Sequence, residues 1–189
     1  MATANPADQA PYEALTTRER RRVVGEAALR MLVSIAVLVA AFIVIPPADL
    51  ATRTLGTSVL VALVLLVGVV VWEIRRVIRD PYPEVRAATG IIVVAVAVIL
   101  VFAIVYAAMS AGNAAAFTEP LDKSNAIYFT VTTASTTGFG DITAASESAR
   151  WVVTAQMLID LIVIVGVARV FVLAAKVSRA RRDRADSPS

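Results

Sequence analysis

Long apolar runs separated by short polar segments make up most of the chain. Four runs stand out, at about residues 27–45, 55–72, 87–109 and 151–176. At a rise of 1.5 Å per residue, a helix over each run reaches roughly 27 Å or more, which is enough to cross the hydrocarbon core of a bilayer. The first run ends at Pro46 and Pro47, which cannot continue a helix. The pattern predicts an all-α membrane protein with four transmembrane helices per chain.

The composition supports a membrane protein over a soluble one. Apolar residues make up 58% of the 189 residues and charged residues 17%, whereas soluble domains have about 45–50% and about 25%. A soluble domain of this size could not bury so much apolar surface. The chain has no cysteine and no histidine, which removes thiol chemistry, the commonest general base and the commonest zinc ligand. We therefore expect neither an enzyme nor a resident cofactor.

Basic residues lie mainly on one side of the four predicted spans, and such residues favour the cytoplasmic side. The opposite side has only Arg53, Lys123 and Arg150. Both termini are therefore expected in the cytoplasm, where the basic segments would attract anionic lipid rather than nucleic acid. The basic residues occur before or at the start of the first span, between the second and third, and after the fourth: Arg18, Arg20, Arg21, Arg22 and Arg30; Arg75, Arg76, Arg79 and Arg86; Lys176, Arg179, Arg181, Arg182 and Arg184.

The first two spans carry little sign of a signal peptide or a voltage sensor. The basic lead of roughly 30 residues and the apolar run of about 19 are both long for a signal peptide, so we expect a retained span. Thr16 and Glu19 have the spacing of a capping box, which predicts a helix that begins before the membrane. A voltage sensor needs several arginines spaced through a span, and none occurs between Leu55 and Trp72.

The segment between the third and fourth spans, residues 110–150, is rich in Thr, Ser and Gly. A short helix is predicted over about residues 122–134, with Asp122 or Ser124 at its N-cap. Residues 135–141 contain two glycines and are not expected to remain helical. A short helix followed by extended backbone that returns to the same face is a re-entrant loop. Such backbone survives at membrane depth only inside protein or along an aqueous path, so we predict a pore or a binding cavity.

The sequence Thr136-Thr137-Gly138-Phe139-Gly140-Asp141, preceded by Tyr128-Phe129 and Thr132-Thr133, resembles the pore-loop signature of the potassium channel family, in its four-span prokaryotic type. The resemblance covers about residues 87–177. It implies the tetrameric potassium-channel pore fold, with an outer helix, a re-entrant pore helix, a selectivity filter and an inner helix. In that fold backbone carbonyls replace the hydration shell of K⁺. The filter residues that the resemblance implies are Thr136, Thr137, Gly138, Phe139 and Gly140, and K⁺ would bind the carbonyls of the first four and the Thr136 hydroxyl.

The loop also departs from the common pattern of that family. Phe139 replaces a tyrosine, and its ring is expected to pack behind the filter without a hydroxyl to anchor it. Thr137 replaces a valine and adds a hydroxyl that needs a partner. Thr132 stands where some relatives have a glutamate paired with the acid at the outer mouth, here Asp141. Tyr128 is a candidate hydrogen-bond partner for Asp141 instead. We expect the filter to be supported by Tyr128, Thr132 and Thr133.

Asp160 lies near the middle of the fourth span, where a carboxylate costs roughly 2.5–3.5 kcal/mol on insertion scales and should not face lipid. Two interpretations stay open. Four copies of Asp160 would form an acidic ring around a water-filled cavity and concentrate K⁺, or the carboxylate would bond to pore-helix hydroxyls, such as those of Thr132 or Thr133, and hold the subunit together. Gly166 is a candidate for a bend in the inner helix or for close helix packing.

One pore loop per chain requires four chains around an axis, so we expect a homotetramer. The expected function is passive, K⁺-selective conduction across the plasma membrane, without a voltage sensor. Alternatives are a poorly selective cation channel, a subunit of a potassium uptake transporter, and a non-conducting scaffold or sensor that retains the loop. The expected organisation is a cytoplasmic N-terminal segment, two accessory helices with their linker, a pore domain and a basic tail, at residues 1–26, 27–86, 87–178 and 179–189.

Overall fold

The computed structural model describes residues 16–51, 55–80 and 83–185, with side chains at 16–50, 60–80 and 85–169. The predicted N-terminal segment and basic tail therefore lie partly outside the described residues. The described chain is helical, with one isolated antiparallel bridge between Phe117 and Ala144. In chain order the helices are α1 Thr17–Val44, α2 Pro47–Ala51, α3 Leu55–Arg79, α4 Pro83–Gly112, α5 Lys123–Ala134 and α6 Glu147–Ala185.

Three helices are long and apolar enough to cross a membrane within the described part of the chain. They match the first, third and fourth predicted spans, at Thr17–Val44, Val85–Gly112 and Glu147–Arg169. The second predicted span lies in α3. The side chains of residues 55–59 are outside the described part, and what remains of α3 includes Glu73 and three arginines near its end. The described part of the chain is thus helical with membrane-spanning character, and the second predicted span, in α3, stays a prediction.

The start of α1 follows the predicted capping box. The Thr16 hydroxyl accepts from the Glu19 N–H, and the Thr16 N–H donates to the Glu19 carboxylate at 2.8 Å. The helix then runs without a break from Thr17 into the apolar run, so the predicted segment boundary at residue 26 falls inside it. The expectation that this helix begins ahead of the apolar run is confirmed.

α4 is the central helix of the chain. It packs against α1, α2, α3, α5 and α6. In its most apolar stretch 56% of the residues are buried, against 11% in the corresponding stretches of α1 and α6. The core is formed mainly by α4, with side chains from the other long helices, from α5 and from the segment between α4 and α5. It includes an edge-on cluster of the aromatic rings of Tyr106, Phe117 and Phe129. The apolar outer faces of α1 and α6 are left for lipid or for other chains.

A buried ion pair joins the end of α3 to the start of α4, close to the turn of the α3–α4 hairpin. This pair was not predicted from the sequence. Arg86 donates to the Glu73 carboxylate at 3.3 Å, and these two residues are 4% and 3% exposed. Arg76 lies 3.7 Å from the other oxygen of Glu73. Arg86 therefore does more than mark the side of the membrane, because it also neutralises a carboxylate inside the hairpin.

Candidate functional site

α5 has the extent predicted for the short helix between the third and fourth spans. Asp122 is its N-cap and accepts from the Asn125 N–H at 2.7 Å. The threonines along the helix turn their hydroxyls back onto helix carbonyls, with Thr130 donating to Ala126 and both Thr132 and Thr133 to Phe129. Such bonds satisfy the hydroxyls locally in a helix with little water around it.

The backbone after α5 alternates in conformation. The φ angle is positive at Thr136 (58°), Gly138 (49°) and Gly140 (80°), and it is not positive at the two residues between them. Glycine takes positive φ without steric cost, whereas Thr136 pays a penalty because it carries a branched Cβ. An alanine at Gly138 would meet no neighbouring atom, so its cost would come from the backbone alone.

The N–H groups at the start of this loop all point back to the end of α5. Thr137 and Gly138 both donate to the carbonyl of Thr132, at 3.0 and 3.1 Å, and Thr136 donates to Thr133 at 3.0 Å. In a trans peptide unit the C=O points opposite to the N–H. The carbonyls of Thr136 and Thr137 therefore point in a common direction away from α5. No described donor bonds to the carbonyls of residues 136–140.

Tyr128 supports the end of the loop through two contacts. Its hydroxyl donates to the Asp141 carboxylate at 2.7 Å, as the sequence analysis expected. Its ring stacks on Phe139, with centroids 6.3 Å apart and planes 3° from parallel. The Tyr128 hydroxyl and the Asp141 carboxylate both lie outside the three long apolar helices. The hydrogen bond lowers the pKa of the Asp141 carboxyl below its usual range and raises the pKa of the Tyr128 hydroxyl.

The hydroxyl of Thr137, which sequence reasoning left without a partner, lies 2.9 Å from the Ser135 hydroxyl. Phe139 is 69% exposed in the single chain, so the expected packing of its ring behind the loop is limited here to the stack on Tyr128. The two residues that depart from the common pattern thus have local contacts at the edge of α5.

The chain segments that enter and leave the loop lie side by side. The Thr118 N–H donates to the carbonyl of Thr143, while the Thr143 N–H donates to the Thr118 hydroxyl. The N–H groups of Ala145 and Ser146 both donate to the carbonyl of Ala116. These bonds fix the entry to α5 against the exit toward α6, so the loop between them is held at both ends.

Gln156 of α6 joins three helices and was missed by the sequence analysis. Its side-chain oxygen accepts from the Tyr106 hydroxyl of α4 at 2.6 Å. Its amide nitrogen donates to the Thr130 carbonyl of α5 at 3.2 Å and to the Asp160 carboxylate at 3.0 Å. Tyr106, Thr130 and Gln156 are each 0% exposed. A glutamine inside a long apolar run was the available signal, since a buried amide needs partners.

Asp160 has a partner within the chain that neither of its two interpretations named. Within the chain its carboxylate accepts from Gln156 and not from the hydroxyl of Thr132 or Thr133, because both hydroxyls already donate to Phe129. The carboxylate is partly exposed. Gly166 lies within the uninterrupted helix α6 and has no neighbour within 4 Å of a Cβ placed there. Close packing at Gly166 is therefore absent from the described chain.

Residues 91–176 match a family model described as ion channel. The match begins within α4, includes α5 and the loop that follows it, and ends in α6. No curated protein and no solved structure shows a significant match to the chain. The matched segment thus contains the helices and the loop whose geometry is described above. Residues 91–176 of this membrane protein form a domain of the ion channel family.

Proposed function

We propose that the protein is a K⁺-selective channel in which residues 136–140 form the selectivity filter of a homotetramer. A dehydrated K⁺ needs a ring of oxygens in place of its water shell. One chain supplies a column of carbonyls, and four chains around one axis supply rings. The permeant ion is K⁺, and the filter residues are those that the resemblance implies: Thr136, Thr137, Gly138, Phe139 and Gly140.

The observation that carries this proposal is the shared direction of successive carbonyls. In an ordinary strand successive carbonyls point to opposite sides, so only every second one could face an axis. Here two consecutive N–H groups converge on the Thr132 carbonyl, and φ alternates in sign from residue 136 to residue 140. This backbone turns the carbonyls of Thr136 and Thr137 the same way and leaves them without protein donors. They are free to contact an ion.

The surface of α6 supports assembly around an axis. Large apolar side chains remain more than half exposed along it in the single chain, among them Leu158, Leu161 and Ile162. Lipid or neighbouring subunits must cover them. With the inner helices around the axis, the partly exposed Asp160 would lie toward the cavity and Asp141 at the outer mouth. The C-terminal end of α5, which is partially negative, would also favour a cation.

The proposed topology has four spans, with α3 as the second and both termini in the cytoplasm of a cell whose plasma membrane holds the channel. The support for it is the distribution of arginines and lysines described above. Anionic lipid would bind the basic segments on that side. No role in voltage sensing is proposed for α1 or α3.

The experiment that tests the proposal is the bi-ionic reversal potential of the purified protein in planar bilayers, with K⁺ on one side and Na⁺ on the other. A reversal potential near the K⁺ limit is expected. Gly138→Ala should abolish selective K⁺ current, because alanine strains the positive φ at that position.

The matched control is Gly25→Ala in α1, which likewise meets no neighbouring atom and lies in ordinary helix, far from the loop. Its reversal potential should equal that of the wild type. A wild-type reversal near zero would favour the poorly selective cation channel. Wild-type K⁺ current retained in Gly138→Ala would remove the filter assignment.

A further inference from the structure

The end of α1 has two backbone carbonyls that its own helix cannot satisfy. The last helical bond runs from the Ile45 N–H to the Ala41 carbonyl at 3.0 Å. The next two donors in the helical pattern would come from residues 46 and 47, and both are prolines. Proline has no N–H. The carbonyls of Phe42 and Ile43 are therefore left without the partners that a continuing helix would give them.

Lys123 supplies the missing donors from a distant part of the chain. Its ammonium donates to the Phe42 carbonyl at 2.8 Å and to the Ile43 carbonyl at 2.7 Å. The same nitrogen lies 5.4 Å from the centre of the Phe42 ring. A cation at a helix C-terminus is also favoured by the helix dipole. One side chain thus satisfies both orphaned carbonyls and adds charge of the favourable sign.

Lys123 is the first residue of α5, directly after the N-cap Asp122. The opposite end of α5 holds the filter loop, because Thr132 accepts from the N–H groups of Thr137 and Gly138. A helix of 12 residues is about 18 Å long and moves as a rigid rod over that distance. A displacement of the end of α1 would therefore reach the loop through α5.

We propose that Lys123 is a positioning residue that couples the accessory helix α1 to the filter and thereby sets the fraction of time the channel conducts. The inference rests on the proposed channel function and gives α1 a role in it. The two prolines are needed for this coupling, since they leave the carbonyls of Phe42 and Ile43 available to a donor from another helix.

The test is a mutant cycle read as single-channel open probability in planar bilayers. Lys123→Met keeps the length of the side chain and removes its donors. The paired variant Pro46→Ala/Pro47→Ala restores two N–H groups and lets α1 satisfy its own carbonyls. Each should lower the open probability by about tenfold, because each breaks a pair of charge-assisted hydrogen bonds. Their combination should also give about tenfold, not about a hundredfold, because both act on one contact.

Lys123→Arg is the matched control, because a guanidinium can still donate to two carbonyls, and its open probability should stay within about twofold of the wild type. The unitary current and the melting temperature of the tetramer in detergent separate gating from general damage. If Lys123→Met does not assemble, the paired proline variant, which leaves Lys123 intact, carries the test. Wild-type open probability in either variant, or multiplicative losses in the combination, would overturn the coupling.

The result of the mutant cycle does not depend on whether the channel is K⁺-selective. Open probability is the fraction of time that the channel is open, and it can be measured with whichever ion carries the current. A wild-type reversal potential near zero would therefore reject K⁺ selectivity and leave the coupling testable, while independent effects in the cycle would reject the coupling and leave selectivity standing.

Discussion

The two ends of α4 hold polar groups inside the protein by different means. Near its start Arg86 is paired with the Glu73 carboxylate, charge against charge. Near its end Tyr106 donates to the neutral amide of Gln156. The two positions are 4% and 0% exposed, and along a helix they lie about 30 Å apart, which is close to the thickness of a hydrocarbon core. The two side chains are similarly buried, but one is compensated by an ion pair and the other by a hydrogen bond between neutral groups.

The difference follows what each end joins. The ion pair connects α4 to α3, and Gly90 makes room for it, since a Cβ there would lie 3.2 Å from Glu73 Oε2. The amide of Gln156 connects α4 to α5 and α6 and reaches Asp160. Damage at the charged end should therefore lower stability without changing the loop. Damage at the neutral end should alter both.

The largest expected effect comes from breaking the ion pair on one side. Glu73→Leu leaves the buried Arg86 without the carboxylate that it pairs with, which should lower the free energy of unfolding by roughly 3–5 kcal/mol. Thermal unfolding in detergent micelles measures it. Glu73→Leu combined with Arg86→Met should recover most of the loss, because a well-packed apolar pair can replace a buried ion pair.

The recovered double variant then sharpens the contrast between the two ends. Its reversal potential should equal that of the wild type, since the hydrogen bond and ion pairs described for these residues stay within the α3–α4 hairpin. A double variant as unstable as Glu73→Leu would show that the pair contributes more than mutual neutralisation. A double variant with altered selectivity would show that the α3–α4 hairpin acts on the filter.

An intermediate effect is expected at the neutral end. Gln156→Leu removes the acceptor of Tyr106 and the donor to Thr130, which are both buried, and the donor to the partly exposed Asp160. It should cost about 2–3 kcal/mol in unfolding free energy. The unitary current should change as well, because Asp160 loses its described partner. Tyr106→Phe breaks only one of these bonds and should cost about half as much. A stable Gln156→Leu channel with wild-type current would mean that the amide network neither holds the helices nor positions Asp160.

The sequence was sufficient for the features that depend on neighbouring residues. The capping box of α1, the extent of α5 with its Asp122 cap, and the change from helix to glycine-containing backbone all follow from local propensity and hydrogen bonding. The hydrogen bond from Tyr128 to Asp141, 13 residues apart, was also within reach, because both residues belong to one short hairpin. The family match covers this same part of the chain.

The missed features are partners brought together by the packing of helices. Gln156 meets Thr130 and Tyr106 across 26 and 50 positions, and Lys123 meets Phe42 across 81. In each case the sequence indicates that a hydrogen-bond partner is required, either by a glutamine in an apolar run or by two prolines that leave two carbonyls without donors. It does not name the partner, because several polar residues could have satisfied each need. Neither interpretation of Asp160 named Gln156 as its partner for that reason.

The smallest effect on stability is expected from removing a tyrosine hydroxyl at a solvent-exposed position, that of Tyr128, rather than at the buried position of Tyr106. Tyr128→Phe breaks the bond to Asp141, but both groups are exposed, so water replaces the tyrosine and the free energy of unfolding should not change measurably.

The titration of the Asp141 carboxyl should change in the same variant. Because the bond lowers the pKa of Asp141, its contribution is present above the ordinary value of about 3.9 and is lost as the pH falls through the lowered value. In Tyr128→Phe the pKa of the Asp141 carboxyl should therefore rise, and the carboxyl should protonate at a higher pH than in the wild type. Carbon-13 NMR of the aspartate carboxyls follows this shift, with Asp141→Asn identifying the resonance. An unchanged midpoint would show that the bond does not persist in the assembled protein, and the support of the loop by Tyr128 would then rest on the stacked ring of Phe139 alone.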